Sequence, residues 1–364
     1  MKTGGELWSR GWLLRYKAQY LPDKCVRQGD FKLSHGSLSR VKPPWLKVRA
    51  PGGENYARIK RTLRALDLHT VCEEARCPNV GECWGTGTAT VMLLGHTCTR
   101  GCRFCAVTTG NPRGALDPRE PDHVALAIAE LGLRYVVLTM VNRDDLVDGG
   151  AGQVARTVSA LRRSQPSLLV ETLVGDFCGR EQDIDVVLES DPDVFAHNIE
   201  VTRRLTPHIR DQRCGYDRSL RVLSRAKRRA TEGLVKSSLM VGIGETDDEV
   251  KEALGDLRSA GVDVVTIGQY LRPSPKHVPV ERFVEPNLFA EYEEYAKGLG
   301  FCCVASGPLV RSSYRAAESF VMARLADRVC SRGEPGGVTG ANVTAKPVKP
   351  IGIGLLSPAS LVRR

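Results

Sequence analysis

Residues Ala89 to Cys105 read ATVMLLGHTCTRGCRFC: an apolar run of strand character, a glycine, then three cysteines spaced Cys98-x3-Cys102-x2-Cys105. A β-rich run that opens directly into a cysteine loop implies the order strand, then ligand loop. A second triplet, Cys72-x4-Cys77-x5-Cys83, precedes the run, so six of the twelve cysteines fall in one short stretch. Closely spaced cysteines in a protein of this size are more often metal ligands or catalytic groups than a disulfide framework, and zinc recruits pairs that complete a set of four. Here the unit is three. A four-iron, four-sulfur cube takes one thiolate per iron, so three cysteines leave one iron open to a substrate or a non-cysteine ligand.

Outward from this stretch, short β-rich runs alternate with helical patterns. The runs are ATVMLLG (89 to 95), YVVLTM (135 to 140), LLVETLV (168 to 174), DVFAHNI (193 to 199), VKSSLMVG (235 to 242) and VDVVTIG (262 to 268). Helix candidates lie near 121 to 132, 150 to 164, 181 to 190, 217 to 230 and 246 to 260, the last with a capping box at Thr246 and Glu249. Six strand segments alternating with helices predict an α/β chain with a parallel sheet, whose catalytic groups belong at the strand C-termini. Gly242 and Gly244 are weak evidence for a dinucleotide site, because the third glycine of that fingerprint is missing. With 42% apolar residues among 364, a sizeable core is available. No apolar run reaches the roughly 18 residues a membrane helix needs, so a soluble protein without a membrane partner is expected.

In chain order, the later triplet, CTRGCRFC (98 to 105), resembles the signature of radical S-adenosylmethionine (SAM) enzymes, and the first, CEEARCPNVGEC (72 to 83), resembles the auxiliary-cluster motif of the lipoyl synthase family. PPWLK (Pro43 to Lys47), RDD (Arg143 to Asp145), AHNIE (Ala196 to Glu200), VGIGET (Val241 to Thr246), GQYLRPS (Gly268 to Ser274) and ASGPLVRSSY (Ala305 to Tyr314) extend the likeness over about residues 42 to 320. The resemblance implies a partial six-stranded (βα)6 TIM-like barrel, with N-terminal and C-terminal extensions meeting over its mouth. It implies two [4Fe-4S] clusters and SAM as cofactors: Cys98, Cys102 and Cys105 hold the cube that reduces SAM, and Cys72, Cys77 and Cys83 hold one that donates sulfide. The same likeness makes Ser313, the second serine of RSSY, the fourth ligand of the sulfide-donating cube. An oxygen ligand matches iron and sulfide less well than thiolate does, which suits a cluster that must be dismantled.

The implied reaction inserts two sulfur atoms at C6 and C8 of an octanoyl chain on a carrier lysine. Implied partners are octanoylated lipoyl carrier proteins (2-oxoacid dehydrogenase E2 domains and the glycine cleavage H protein), iron-sulfur assembly proteins and an electron donor. Rival readings are another radical SAM sulfur-inserting enzyme, or a zinc-stabilised nucleic-acid-binding protein drawn from the cysteines and the net charge of +10. Arg218, Arg221, Arg225, Arg228 and Arg229 fall on one side of a helix, but no aromatics interleave with basic residues as in nucleic-acid binders, so no nucleic acid is expected. A solvated face, or steering of an acidic protein, remains for them.

Among other site candidates, Arg143, Asp144 and Asp145 follow a strand and either bind polar groups of SAM or form an ion pair. His197 and Asn198 end a strand where they either contact SAM or substrate or serve the core. Cys25, Cys178, Cys214, Cys302, Cys303 and Cys330 lack motif spacing and are read as ordinary thiols. The chain departs from the family pattern at His96, Asn142 and DFCGR (176 to 180), and none of these changes removes an implied ligand. Residues 1 to 41 are read as a basic leader with the character of a mitochondrial transit segment. The remaining divisions are an auxiliary-cluster region at 42 to 88, the barrel with its serine motif at 89 to 325, and a Gly/Pro-rich disordered tail at 326 to 364.

Overall fold

The computed structural model describes residues 42–48, 52–75, 77–85, 90–230 and 232–313. The expected leader and tail lie outside the described residues.

The strands are β1 (His69–Thr70), β2 (Thr90–Leu93), β3 (Thr97–Cys98), β4 (Thr108–Thr109), β5 (Tyr135–Met140), β6 (Leu169–Leu173), β7 (Val194–Ala196), β8 (Leu234–Val241), β9 (Val264–Gln269) and β10 (Cys303–Gly307). The helices are α1 (Glu54–Ala65), α2 (Val71–Glu74), α3 (Val80–Gly85), α4 (Glu120–Leu131), α5 (Ala151–Ser164), α6 (Glu181–Glu189), α7 (Thr206–Ile209), α8 (Tyr216–Arg229), α9 (Asp247–Ser259) and α10 (Pro286–Gly298). One sheet runs β1-β2-β5-β6-β7-β8-β9-β10, and β3 pairs with β4 beside it. From β2 to β10 every neighbour is parallel, and β1 lies antiparallel on β2.

All six expected strands form, but the main sheet holds eight rather than six. The additions were hidden by composition. β10 is CVASG, whose small and polar residues lack a β-rich run, and it becomes a strand because all five of its residues register against β9. β1 is two residues long, too short to show alternation.

β2 and β9 are buried at every position, as parallel strands covered on both faces should be. Around them α4 packs on α5, α5 on α6, α6 on α8, and α9 on α10. The capping box forms as expected: Thr246 Oγ1 accepts from Glu249 N, and the Glu249 carboxylate accepts from Thr246 N. The basic helix α8 buries Tyr216, Val222, Leu223 and Ala226. Its opposite face is not a free cationic stripe, because Arg225 reaches Glu181 and Asp185 on α6, and Arg229 reaches Asp185 and Glu189. Gly242 and Gly244, both at positive φ, build no phosphate cradle, since the Glu245 carboxylate folds back to accept from Gly242 N at 2.6 Å and Ile243 N at 2.9 Å. Among the described residues no helix is long and apolar enough to cross a membrane.

Candidate active site

The loop from Cys98 to Cys105 follows β2 and β3 and is pinned from several sides. Thr99 N donates to Asn142 O at 2.9 Å, Gly101 N to Asp211 Oδ2 at 2.8 Å, and Arg103 N to Ile209 O at 2.8 Å. Val278 N donates to Arg103 O, and His277 Nε2 lies 3.0 Å from Cys105 O. The loop is thus tied to the ends of β5 and α7 and to the segment after β9, which leaves its three sulfurs on the wall of one cavity of about 490 Å³.

Backbone donors already point at the thiols. Arg100 N donates to Cys98 Sγ at 3.4 Å and Asp211 N to Cys102 Sγ at 3.3 Å, and Cys105 Sγ accepts a backbone bond at Val107. Burial pushes the Cys105 thiol up to about 11. Bound metal removes that proton, so donors aimed at sulfur favour the ligating form.

Beside the loop lies a buried charge network. Arg100, 4% exposed, meets Asp144 and Asp176 through Nη2 at 2.8 Å each; Nη2 also reaches the sulfur of Cys178, and Nη1 that of Cys214, both at 3.5 Å. Burial opposes ionisation of both carboxylates, but Arg100 outweighs it and holds them below the usual range. Cys214 is not the ordinary thiol its lack of spacing suggested. It lines the same cavity as Cys102, and its sulfur accepts from Arg100 Nη1 at 3.5 Å.

The RDD run is used inward. Arg143, 2% exposed, donates to Asp145 at 2.8 Å and to the carbonyls of Leu94 and Ala115, and Asp145 also accepts from Gly114 N. None of Arg143, Asp144 and Asp145 lines the cavity; Asn142 does. His197 and Asn198 both line it. Both ring nitrogens of His197 are engaged, Nδ1 with Val174 O at 2.8 Å and Nε2 with Ser219 Oγ at 2.9 Å, and burial lowers its pKa to about 4. The imidazole is therefore neutral and braces the strand end.

Three residues not singled out beforehand join the cavity wall: Arg100, Glu200 and Arg210. Glu200 sits at φ 67°, a region non-glycine residues seldom occupy, and burial pushes its carboxyl upward against the opposing pull of Arg210. The Nε of Arg210 is buried without a hydrogen-bond partner, while its Nη1 donates to Ile199 O and Ser219 Oγ. Arg100 and Glu200 stood inside TCTR and AHNIE, but Arg210 belonged to no quoted motif.

The first triplet lies on α2, α3 and the turn between them. Cys72 and Cys83 are buried, and Cys77 reaches the cavity wall. Burial raises Cys72, while Thr90 and the Trp84 indole N–H pull the other way; that N–H has no fully formed bond, so a donor waits beside Cys72. Asn79 Nδ2 donates to Leu309 O at 2.7 Å across 230 residues of sequence, which seats the segment after β10 beside this triplet. That segment packs so close to β9 that a Cβ on Gly268 would collide with the Val310 carbonyl oxygen. Arg311 and Ser312 line the cavity, and Ser313 is half-buried next to them. Among the described residues no three His, Cys, Asp or Glu converge on one point as a single metal ion requires. Cys98, Cys102 and Cys105 on one cavity wall fit a cube, which takes one thiolate on each of three irons.

Residues 92–268 match the radical SAM superfamily, and residues 19–77 match the N-terminal domain of lipoyl synthase of that family. The chain is 67% identical over 301 residues to lipoyl synthase of Sorangium cellulosum, covering 79% of this chain and 81% of that one. It belongs to the lipoyl synthase family. Lipoyl synthase of Thermus thermophilus is 53% identical (82% and 93% covered), and the chloroplastic lipoyl synthase of Ricinus communis is 52% identical (79% and 80% covered). Membership makes the chain a radical SAM sulfur-inserting enzyme, with a [4Fe-4S] cluster and SAM implied as cofactors. The N-terminal match begins at residue 19, inside the stretch read as a leader, and the relatives named are bacterial or chloroplastic, so the mitochondrial expectation finds no support in them.

Proposed function

We propose that the chain inserts two sulfur atoms, at C6 and C8, into an octanoyl group carried on a lysine of a lipoyl carrier protein. The observation that carries the reading is that one cavity is lined by Cys98, Cys102 and Cys105 together with Cys77 of the first triplet and Ser312 of the RSSY motif. Cys98, Cys102 and Cys105 would hold the SAM-binding cube; Cys72, Cys77, Cys83 and Ser313 would hold a second. When bound, the first supplies the electron that splits SAM and the second supplies sulfide.

The chain's own residues position the reactants. Asn198, Glu200 and Arg210 line the cavity and offer polar contacts for the amino and carboxylate groups of SAM. Phe104, Val107, Met140, Leu239, Met240 and Tyr270 give the same cavity apolar walls suited to a fatty chain, and they exclude water from radical chemistry. Arg143, Asp144 and Asp145 act behind the wall by fixing the cluster loop.

The sheet reads as an incomplete barrel. β5 and β9 lie four strand spacings apart, about 19 Å on a flat sheet, yet this single cavity touches the ends of both. A curled sheet brings them together, with the mouth at the strand C-termini.

The test is anaerobic reconstitution with iron and sulfide, followed by mass spectrometry of an octanoyl-lysine carrier peptide incubated with SAM and a reductant. Two added sulfurs, with about eight irons per chain as two cubes demand, support the reading. Zinc without sulfide, or an unchanged peptide beside SAM cleavage, overturns it.

A further inference from the structure

The segment after β9 grips the cysteine loop through two adjacent residues. Val278 N donates to Arg103 O at 3.1 Å, and His277 Nε2 lies 3.0 Å from Cys105 O, 172 residues away in sequence. A carbonyl oxygen only accepts, so Nε2 carries the hydrogen between them whether the ring is neutral or charged. The two bonds flank Phe104, which lines the cavity and packs against the apolar group that includes Tyr270 and Val278.

The imidazole is itself held. Ser274 Oγ lies 2.8 Å from Nδ1 and accepts from Lys276 N at 3.4 Å, while Arg272 Nε donates to His277 O at 2.8 Å. His277 N closes a turn on Ser274 O at 3.1 Å, and the Tyr270 hydroxyl donates to Val278 O at 2.9 Å. Tyr270, Leu271, Arg272 and Pro273 of the same segment line the cavity. A ring anchored at one nitrogen and committed to a loop carbonyl at the other is a brace built into the site wall.

We propose that His277 is a positioning residue: its Nε2–H, oriented by Ser274, fixes the Cys105 end of the loop before any metal is bound and so preorganises the three sulfurs for a cluster. The inference rests on the reading that Cys98, Cys102 and Cys105 hold that cluster. The first two are tied down through their neighbours, Thr99 to Asn142 O, Gly101 to Asp211 and Arg103 to Ile209 O. Cys105 is held within the loop by Cys102 O at 3.0 Å and from outside it by His277. Groups that hydrogen-bond behind a ligand set its orientation and hence its grip on metal.

Two measurements on the full chain test this. In the metal-free chain, hydrogen exchange read by mass spectrometry on peptides covering 101 to 108 should be about two- to tenfold faster in His277→Ala, the range one net hydrogen bond confers. Ser274→Ala should move exchange the same way by less, and it carries the test should His277→Ala not fold. In the reconstituted chain, the SAM-responsive EPR signal should decay faster under an iron chelator in both variants, with a denaturant midpoint close to the parent's. His277→Gln, whose amide N–H takes the place of Nε2, should restore both readouts, and His277→Phe, which keeps a ring without a donor, should behave as alanine. Parent-like exchange in either alanine variant overturns the proposal, as does a parent-like His277→Phe, because that would mark packing rather than hydrogen bonding. The exchange measurement needs no metal, so it fails separately from the ligand reading, which a SAM-responsive signal surviving Cys102→Ala would sink.

Discussion

At the scale of single residues, the proposed division of chemistry between the two triplets is one that alanine variants should separate. Cys102→Ala is expected to abolish 5′-deoxyadenosine release from SAM while the first triplet's iron remains. Cys77→Ala should do the opposite, with SAM cleavage retained and lipoyl product lost. Chromatography of 5′-deoxyadenosine beside mass spectrometry of the peptide reads both, and parent-rate cleavage by Cys102→Ala would refute the division. The adjacent serines are a finer case. Ser313→Ala should leave most iron bound, since three thiolates still anchor the cube, yet impair sulfur transfer; Ser312→Ala is the control. Because Ser312 lines the cavity and Ser313 is its half-buried neighbour, the pair decides the assignment. Loss of lipoyl formation in Ser312→Ala alone would transfer the ligand role to that residue.

At the scale of elements, the strands owe their arrangement to a buried ionic pin as well as to apolar packing. Lys236 on β8 donates to both oxygens of Glu171 on β6 at 2.9 Å, and the Tyr135 hydroxyl on β5 donates to the same carboxylate at 2.5 Å. Lysine and glutamate are 3% and 1% exposed in their side chains, so neither has water to fall back on. Lys236→Met leaves a buried carboxylate without its cation and should cost about 3–5 kcal/mol, seen as a lowered denaturant midpoint. Replacing both partners with apolar residues of similar size should recover most of that loss. A Lys236→Met variant as stable as the parent would show that the pair contributes nothing.

At the scale of the whole molecule, stability should respond to acid in two stages. His197 is held neutral by burial, with a pKa of about 4 against an ordinary 6.5. Between those values the unfolded chain binds a proton the folded one does not, so stability falls as pH drops from about 6.5 to about 4, by up to roughly 3 kcal/mol. A second loss follows as carboxylates held low protonate: Asp145 by its bond from Arg143, and Asp211 by its bond from Arg213, both to about 2. Their stabilisation is present above about 4 and disappears as pH falls toward 2. Urea titrations at successive pH values would show the two stages, and His197→Gln should flatten only the first. An unaltered first stage in that variant would remove His197 as its cause.

Six of the seven parallel strands of the main sheet, the capping box and the cysteine loop were legible in sequence, because each is a local pattern of β-rich runs, helix caps or cysteine spacing. Both triplets were legible as candidate cluster ligands by the same local spacing. Residues whose roles depend on distant partners were not legible. Arg143, Asp144 and Asp145 read either as SAM-binding charges or as an ion pair, and only folding sets Arg143 on Asp145 and Leu94 and Asp144 on Arg100. Cys214 carried no spacing signal at all, and lines the same cavity as Cys102 because the turn after α7 packs on the cluster loop. Local order is written in near neighbours along the chain, whereas a cavity wall is assembled from residues such as Cys98, Glu200 and Arg311, which only the packing of successive strand ends brings together.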